Sequence, residues 1–531
     1  MKKHDVTRRW AFAAFAVVCG SLCLLNPCTA AEISSAETEG AEVLVRGPVH
    51  EGFAQTVTFN PEPGILAPKA PPAAIEELPP DQRPAGDHVE WIPGYWAWDD
   101  DRTDYLWVSG IWRAIPPGRQ WVPGNWSQAG TGYQWTAGYW ADIKANNYEY
   151  LPEPPASVEE GPNSGAPSAN HIWLPGSWVW NENRYAWQPG YWTEAQQNWM
   201  WVPAQYIWSP RGYVYTNGYY DYSVDRRGML FAPVYFNPSV YGQQGYTYTP
   251  SMAINLAVFG SQLFLRPNYN HYYFGDYYGS SYSSAGYYPG FSFNSGRHGY
   301  DPIYAQQLWQ NREDPSWAKT AESNFRNRVD HDESRPPRTL ADQQAALKNG
   351  ETANDKNLIA AMPIEQAAKS KQNSLKLQPV TKEEQQSFAK HGQAVHEYRD
   401  ARQKQEAKPA DSTAKEPARD STPTQVKFPK SPIAAKSAHQ LGEEHTPPKP
   451  HELPHADAKI EPKPRPAAAK QETPAPAAAK PNAPKPAALP ARPNEKPPSK
   501  PEPKPESPKV PPKSEAPKPE SSKPPAKPNP K

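Results

Sequence analysis

The feature that most constrains this chain is a tryptophan motif that recurs at a nearly fixed spacing. In the stretch "WVPGNWSQAGTGYQWTAGYW" (121–140), the pattern Trp-x-x-Gly-x-Trp occurs twice, and the second copy starts fourteen residues after the first. Seventeen of the 20 tryptophans lie between residues 91 and 208, so one region carries most of the indole rings. Weaker copies, with Tyr or Phe in place of Trp, continue to residue 236. The six full copies contain Trp91, Trp96, Trp107, Trp112, Trp121, Trp126, Trp135, Trp140, Trp173, Trp178, Trp187 and Trp192, and their glycines are Gly94, Gly110, Gly124, Gly138, Gly176 and Gly190.

The length of this period predicts β-structure. A repeat of about fourteen residues is shorter than a helical hairpin repeat, but it accommodates a strand of about nine residues followed by a turn. Turn-forming runs separate the copies, as at 99–102, 116–118 and 130–132. Because short turns join antiparallel neighbours, we predict a mainly β region over 91–236, an antiparallel meander of these repeats.

The glycine between the two tryptophans has two candidate roles. In a regular strand, residues five apart point to opposite faces, so the two rings of one copy would diverge. A β-bulge at the Pro-Gly pair would insert one residue and bring both rings to one side. Alternatively, the glycine lets the backbone approach closely beneath an indole. Either arrangement would produce cross-strand aromatic pairs, each worth roughly 0.2–1 kcal/mol.

The first 31 residues are typical of an export signal peptide. Basic residues precede an apolar stretch at 11–25, and Ala30 and Ala31 offer a small-residue cleavage point. The apolar stretch is shorter than the roughly 20 residues of a membrane span. The alternative is an uncleaved N-terminal anchor, which would be the one membrane contact of the chain. All three cysteines lie in this segment, so cleavage would leave a mature protein without thiols.

Composition divides the rest of the chain. With 67 prolines and 37% hydrophobic residues, a chain of 531 residues is not expected to form one compact domain. We predict a proline-rich segment at 32–90, the repeat region at 91–236, a Tyr/Gly-rich region at 237–300, a charged helical region at 301–404 and a long disordered Lys/Pro/Ala-rich tail at 405–531. Basic and acidic residues number 56 each, which conceals a basic tail on an acidic body.

One helix of the charged region can be predicted in detail. The sequence Thr-Lys-Glu-Glu at 381–384 is a capping box, which predicts a helix that runs from there to about Glu406. Phe388, Val395 and Tyr398 would form a narrow apolar stripe along it. That stripe is expected to dock on the sheet, and docking on a partner is the alternative.

The repeat resembles that of the WxxGxW (YxWxGxW) repeat family of exported bacterial proteins. The resemblance extends beyond the repeats, to roughly residues 42–404. Similar stretches of the longer proteins of this type correspond to "VLVRGPVHEGFA" (43–54), "PPDQRPAGDHVEWIPGYWAWDDDR" (79–102), "YYFGDYY" (272–278) and "YDPIYAQQLWQNREDPSW" (300–317). The resemblance implies export and a repeat fold, and it supplies no catalytic residues.

Sequence motifs for catalysis or cofactor binding are not evident. The chain has no GxSxG, P-loop or GxGxxG pattern, and its 13 histidines show no HExxH or comparable ligand spacing. The acidic run at 99–104 departs from a calcium loop, since Asp104 and Gly110 stand where that loop requires Gly and Glu. We therefore expect no enzyme activity, no cofactor and no bound metal. Nucleic acid is not an expected partner either, because aromatic platforms for single strands lie in basic grooves and this region has acidic turns.

Two uses of the twelve repeat tryptophans follow from these observations. In the first, the indoles fill the space between strands and provide a large apolar area per residue. In the second, some indoles stay exposed and stack on sugar rings. We predict a non-enzymatic, exported cell-envelope structural or interaction protein, with a carbohydrate or envelope-polymer binding module as the alternative. Its partner would be an envelope polysaccharide or another envelope protein, and the sequence does not indicate an oligomeric state.

Overall fold

The structure is a computed structural model that describes residues 40–349, 359–369, 375–407, 423–436 and 445–448. The predicted signal peptide lies outside the described residues, as does most of the predicted tail. Within the described part of the chain, no helix combines the length and the apolar run that a membrane crossing requires.

Consecutive copies of the motif pair with each other to form β-hairpins. Four hairpins follow one another along the chain: hairpin 1 (89–114), hairpin 2 (119–142), hairpin 3 (171–194) and hairpin 4 (199–222). Each hairpin contains four short strands, because each of its two arms is interrupted at the motif glycine or, in the first arm of hairpin 4, at Ala204. In chain order the strands are Val89–Ile92, Tyr95–Asp99, Asp104–Val108, Ile111–Ala114, Arg119–Val122, Asn125–Ala129, Gly132–Thr136, Tyr139–Asp142, His171–Leu174, Ser177–Asn181, Arg184–Gln188, Tyr191–Glu194, Trp199–Val202, Gln205–Ser209, Gly212–Thr216 and Tyr219–Tyr222.

The pairing register places tryptophan opposite tryptophan. In hairpin 1, Trp91 lies opposite Trp112 and Trp96 lies opposite Trp107. The ring centroids of these two pairs are 5.1 and 5.2 Å apart, with edge-to-face ring planes. Hairpins 2 and 3 repeat the arrangement, and hairpin 4 keeps it with Tyr in three of the four positions. Edge-to-face pairs add roughly 0.5–1.5 kcal/mol beyond their buried area, so the motif stabilises this one register.

The interruption at the glycine is a gap in the hydrogen-bond ladder and not a β-bulge. Ile92 lies opposite Ile111 and Tyr95 lies opposite Val108, which is one continuous register on both sides of Gly94. The bulge hypothesis is therefore wrong, because no extra residue is inserted. The antiparallel β fold is confirmed, with one refinement: among the described residues, no strand of one hairpin pairs with a strand of another.

The segment before hairpin 1, expected only to be proline-rich, crosses the fold as a series of short strands. Ala41–Val43 pairs with Val234–Phe236, which also pairs with hairpin 1, and Leu66–Ala67 pairs with hairpin 2. The other short strands pair with partners farther along the chain. The strands of this segment are Ala41–Val43, Gly47–Pro48, Val57–Thr58, Leu66–Ala67, Glu76–Glu77 and Gln82–Pro84.

Short strands and helical turns around the hairpins complete the β part of the fold. The strand pairs of the described residues are antiparallel, except for the parallel pair formed by Glu76–Glu77 and Thr247–Tyr248. The additional strands are Asn147–Leu151, Gly228–Met229, Val234–Phe236, Thr247–Tyr248, Met252–Ile254, Leu263–Arg266, His271–Phe274, Tyr288–Pro289 and Gly299–Tyr300. The short α-helices are Pro238–Tyr241, Leu256–Phe259, Ser280–Ser284 and Gly290–Ser295, and the 3-10 turns are Val224–Arg226, Gly260–Gln262 and Pro267–Tyr269.

A helical region follows, as predicted. Its longest helix, Lys382–Glu406, has both hydrogen bonds of the capping box at its N-terminus, which confirms that prediction. The apolar stripe docks on the hairpins: the Phe388 ring lies 5.0 Å from the Trp112 ring, and Val395 and Tyr398 are buried. The other helices are Pro302–Gln310, Trp317–Asp330, Leu340–Lys348 and Ile364–Lys369, with a 3-10 turn at Asp332–Ser334 and strands at Ala361–Pro363 and Leu377–Pro379.

One segment of the expected disordered tail is folded. Thr424–Lys427 is a strand that pairs with Asn147–Leu151. Beyond this strand, Phe428 and Ile433 are buried, and the Ile433 carbonyl accepts a hydrogen bond of 2.8 Å from the backbone N–H of Trp121. The boundary expected at residue 405 therefore does not hold for 423–436. Apolar side chains stand among the lysines and prolines there, and they fill space beside hairpin 2.

A buried ion cluster joins hairpin 1 to hairpin 4. The Arg113 guanidinium donates to both carboxylate oxygens of Asp221, at 2.6 and 2.7 Å, and the Arg227 guanidinium lies 3.0 Å from the same carboxylate. None of the three residues is more than 2% exposed. Since an unpaired buried charge is strongly destabilising, this charge pairing favours one relative placement of the two hairpins.

Candidate functional site

The gap in each hairpin leaves backbone groups without strand partners. Buried N–H and C=O groups must find other partners or destabilise the fold. In hairpin 1 the partner is Glu77. Its carboxylate accepts hydrogen bonds from the N–H of Gly94 at 2.8 Å, from the N–H of Gly110 at 3.0 Å and from the indole N–H of Trp107 at 3.1 Å. One side chain thereby satisfies donors on both arms of the hairpin.

Hairpin 2 also has a buried glutamate as hydrogen-bond acceptor, and it has an arginine as donor to its carbonyl groups. The Glu51 carboxylate accepts from the N–H of Gly138 at 2.8 Å and from the indole N–H of Trp135 at 2.9 Å. Arg402, on the long helix, donates to the carbonyl oxygens of the two residues that precede the motif glycines, at 2.8 and 2.9 Å. A glutamate and an arginine from distant segments of the chain therefore supply hydrogen bonds to the N–H and carbonyl groups beside the motif glycines of one hairpin.

In hairpin 3 the hydrogen-bond acceptor is Glu159. This carboxylate accepts from the indole N–H of Trp173 at 3.0 Å and from the N–H of Gly176. Glu159 precedes Gly176 by 17 residues, as Glu77 precedes Gly94 by 17. Hairpins 1 and 3 thus share a unit that consists of a hairpin and the preceding segment, which supplies the glutamate. They differ in one detail, since the bound indole belongs to the first motif copy in hairpin 3 and to the second copy in hairpin 1.

Each motif glycine lies against the first tryptophan of the opposite copy. A Cβ atom on Gly138 would lie 2.7 Å from the Trp121 ring and 2.9 Å from the Glu51 carboxylate, closer than real Cβ atoms come to their neighbours. The motif glycines do not have positive φ angles, so the constraint is close approach and not backbone conformation. The same relation to an opposing tryptophan holds at Gly94, Gly110, Gly124, Gly176 and Gly190.

The carboxylates of hairpins 1 and 2 are enclosed. Glu51 is 1% exposed and Glu77 is 6% exposed. Burial raises the pKa of Glu51 to about 8 and the pKa of Glu77 to about 7, although the N–H donors favour the charged form and offset part of the shift. Both carboxyl groups therefore titrate near neutral pH at the places where they accept hydrogen bonds from a hairpin: Glu77 from both arms of hairpin 1, and Glu51 from the second arm of hairpin 2.

The structure separates the repeat tryptophans into two groups by exposure. The eight motif tryptophans of hairpins 1 and 2 are core residues, with at most 8% exposure. The four motif tryptophans of hairpin 3 are half-buried. The buried group is Trp91, Trp96, Trp107, Trp112, Trp121, Trp126, Trp135 and Trp140, and the half-buried group is Trp173, Trp178, Trp187 and Trp192.

Hairpin 3 forms one wall of an open cleft of about 630 Å³. Trp173 and Trp192 line the cleft on this wall. Helix Pro302–Gln310 contributes Leu308 and Trp309 to the lining. The volume falls within the range of roughly 300–1,000 Å³ that is typical of small-molecule sites. Two of the twelve candidate aromatics, Trp173 and Trp192, thus lie at a cavity large enough for a ligand.

Charged groups of both signs surround the rings of the cleft. Glu159 and Glu160 supply two carboxylates, and Arg297 and Arg312 supply two guanidinium groups. The exposed side chains of Glu160 and Arg297 lie 4.0 Å apart, and the Arg312 guanidinium lies over the ring of Trp309, 4.7 Å from its centroid. A second cavity, of about 360 Å³, shares Glu159, Glu160 and Arg297 with the first. The cleft therefore combines aromatic faces with balanced charges and continues into a groove.

The sequence analysis did not identify the three carboxylates or Trp309. A signal existed for two of the carboxylates, since Glu77 and Glu159 each stand fourteen residues before the first tryptophan of their hairpin. Glu51 follows no such spacing, because it reaches hairpin 2 from 87 residues before Gly138. Trp309 lies on a helix outside the repeat region, where no periodic pattern points to it.

Comparison with known proteins finds one matching family model. That model, described as WXXGXW repeat (2 copies), matches residues 91–113, 169–193, 185–205 and 211–231. Hairpin 2 lies outside these segments and has the same strand pairing as hairpins 1 and 3. No curated protein and no solved structure matches the chain. Within the described residues, no group of three or more His, Cys, Asp or Glu side chains is arranged to hold a metal ion.

Proposed function

We propose that this chain, which carries the WXXGXW repeat, is a non-enzymatic, exported cell-envelope protein with a structural or interaction role. The observation that carries the proposal is the burial of the eight motif tryptophans in hairpins 1 and 2. Large buried rings provide a core for a fold whose proposed mature form has no cysteine with which to make disulfides. The motif thus acts as a building element of a stable scaffold, and other surfaces are left for interaction.

A carbohydrate or envelope-polymer binding module is the second candidate. One specific observation favours it: the tryptophans of hairpin 3 are half-buried, and two of them line an open cleft. Exposed aromatic rings with nearby polar groups are suited to sugar rings, whose faces are apolar and whose edges carry hydroxyl groups. In this proposal, recognition is confined to hairpin 3 while hairpins 1 and 2 supply stability.

Export and envelope association can be tested together. Cell fractions are probed for the protein, and mass spectrometry determines its N-terminus. We expect the envelope fraction to contain a form that begins at or near Ala31. We also expect the purified mature form to sediment with isolated envelope material. A protein that keeps Met1 and stays in the cytosolic fraction, or one that carries a lipid on Cys28, would contradict the proposal as stated.

A further inference from the structure

We propose that the cleft beside hairpin 3 binds an uncharged pyranose oligosaccharide. Trp173, Trp192 and Trp309 are the rings against which sugar units pack, and the polar groups around them contact the hydroxyls. This inference rests on the proposed interaction role and deepens it, because it assigns the site and the chemical class of the ligand.

Hairpin 1 shows what covers the equivalent surface of another hairpin in this chain. By strand register, Trp192 of hairpin 3 corresponds to Trp112 of hairpin 1, since each lies opposite the first tryptophan of its hairpin. Trp112 is 0% exposed, and the Phe388 ring of the long helix packs edge-on against it at 5.0 Å. Trp192 instead lines the cleft and is half-buried. The same motif position is thus covered by the chain in one hairpin and open in the other.

The residues around the open indoles favour a hydroxylated ligand over a second protein segment. Two positions before the first tryptophan, hairpin 1 has Val89 and hairpin 3 has His171. Directly after the capping carboxylate, hairpin 1 has Leu78 and hairpin 3 has Glu160. Val89 belongs to the same buried cluster as Trp112, and Phe388 packs against that cluster, so the covered surface is apolar at this position. The open surface keeps the rings and has hydrogen-bonding groups at these rim positions, as a sugar requires.

The charged groups and the dimensions of the cleft restrict the class of ligand further. The two carboxylates and two guanidinium groups of the cleft offset each other, so the site offers acceptors and donors without a net field for an ion. The adjoining cavity of about 360 Å³ extends the site past a single sugar unit. An uncharged oligosaccharide meets these conditions.

Titration calorimetry on the purified full-length mature protein tests the site. The probes are three uncharged tetrasaccharides, the β-1,4-linked tetramers of glucose, of N-acetylglucosamine and of mannose, and one charged comparator, the tetramer of galacturonic acid. We expect saturable binding of at least one uncharged probe and weaker binding of the charged one. We expect Trp192→Ala and Trp309→Ala to lower the affinity about 10-fold or more. The matched control is Trp180→Ala, on the same hairpin but outside the cleft lining, which should leave the affinity within about 2-fold.

A rim exchange separates binding from folding. The double variant Glu160→Leu with His171→Val gives hairpin 3 the rim of hairpin 1, and it should abolish oligosaccharide binding while the melting temperature stays within a few degrees. The proposal is overturned if no uncharged probe binds the unmodified protein, if Trp192→Ala binds as well as the unmodified protein, or if the charged tetramer binds best. Cosedimentation with envelope material in the absence of any tetrasaccharide binding would sink this inference alone. Glycan binding by a protein that is never exported would instead sink the proposed envelope role.

Discussion

Hairpin 1 and hairpin 3 have the same local design and different surroundings. Both have tryptophans paired across the strands, glycines beneath the opposing indoles, and a carboxylate 17 residues before the first motif glycine. Hairpin 1 is covered by the long helix and by Gly228–Met229. Hairpin 3 faces helix Pro302–Gln310 across a cleft. The difference teaches that the motif specifies a hairpin, whereas the segments packed on that hairpin decide whether its rings become core or surface.

Hairpin 2 extends the comparison, because its cover comes from three distant parts of the chain. Glu51 comes from the N-terminal segment, Arg402 from the long helix, and Ile433 from the segment near the C-terminal end of the described chain. Each of them bonds to the backbone near a motif tryptophan or glycine. Burial of this hairpin therefore depends on long-range docking as much as on its own strands.

We expect the largest difference between the core hairpins and hairpin 3 in the stability that is lost when a tryptophan is replaced with alanine. Trp121→Ala in hairpin 2 removes a ring that is 2% exposed, and we expect it to lower the free energy of unfolding by about 3–5 kcal/mol. Trp192→Ala in hairpin 3 should cost only about 1 kcal/mol, because that ring already contacts solvent. Chemical denaturation followed by circular dichroism measures both. Equal losses for the two variants would mean that hairpin 3 is as deeply packed as hairpin 2.

Removal of the C-terminal cover should have the next largest effect. A chain that ends at residue 448 keeps the segment 423–436, whereas a chain that ends at residue 422 loses Phe428 and Ile433 from beside hairpin 2. We expect the shorter chain to be less stable by roughly 2–3 kcal/mol, the burial of one or two apolar side chains net of their ordering entropy. The longer chain should melt like the full-length protein, since a Lys-Pro-rich composition contributes little core. Differential scanning calorimetry of the three chains decides the matter, and identical melting of both truncations would contradict the packing of 423–436.

Substitution of a motif glycine should lower the free energy of unfolding by less than the truncation of a core tryptophan does. Gly138→Val would force a side chain against the Trp121 ring and the Glu51 carboxylate, and such overpacking typically costs about 1–3 kcal/mol. Gly190→Val should cost a similar amount in hairpin 3, because a Cβ there would lie 2.5 Å from the Trp173 ring and 2.6 Å from the Leu174 carbonyl oxygen, and a backbone atom does not move aside cheaply. Gly165→Val is the control, since a Cβ there meets open space. If Gly138→Val and Gly165→Val melt at the same temperature, the close approach is not what requires glycine in the motif.

The smallest expected effect concerns pH. The folded-state pKa of Glu51, about 8, lies above the unfolded value of about 4.3, so the folded protein holds a proton that the unfolded chain releases. Stability should therefore fall as pH rises toward 8. Glu77, with a pKa of about 7, acts in the same direction at lower pH. Burial lowers the pKa values of His50 and His271, which opposes the trend below about pH 6.5.

Glu51 and Glu77 both titrate above pH 6.5, so the variant Glu51→Gln is what separates the carboxyl group of hairpin 2 from that of hairpin 1. Between pH 6.5 and 8.5 we expect the free energy of unfolding to decrease by roughly 1 kcal/mol, within the limit of about 1.4 kcal/mol per pH unit for one group. Glu51→Gln should be less stable at pH 6.5 and should show a flatter profile, since the amide does not titrate. Urea denaturation across this range provides the measurement. A slope that is unchanged in Glu51→Gln would assign the pH dependence to other groups.

The features that the sequence by itself determined are those set by neighbouring residues. The fourteen-residue period of Trp and Gly predicts antiparallel strands joined by tight turns, and the hairpins confirm it, because side-chain alternation and turn chemistry act over a few residues. The capping box at 381–384 predicts the start of the long helix for the same reason. The choice between a bulge and a close approach was not settled locally, since both place glycine at the same position.

The features that only the tertiary structure decided depend on residues far apart in the chain. Glu51 reaches Gly138 across 87 residues, and Arg402 reaches the carbonyl of Pro123 across 279. No periodic pattern records such contacts, because they follow from how separate segments pack. The motif around Trp112 and the motif around Trp192 are alike in sequence, yet one ring is core and the other lines a cleft. Burial is a property of the whole packing arrangement: a side chain loses its contact with water only when another part of the chain is placed over it.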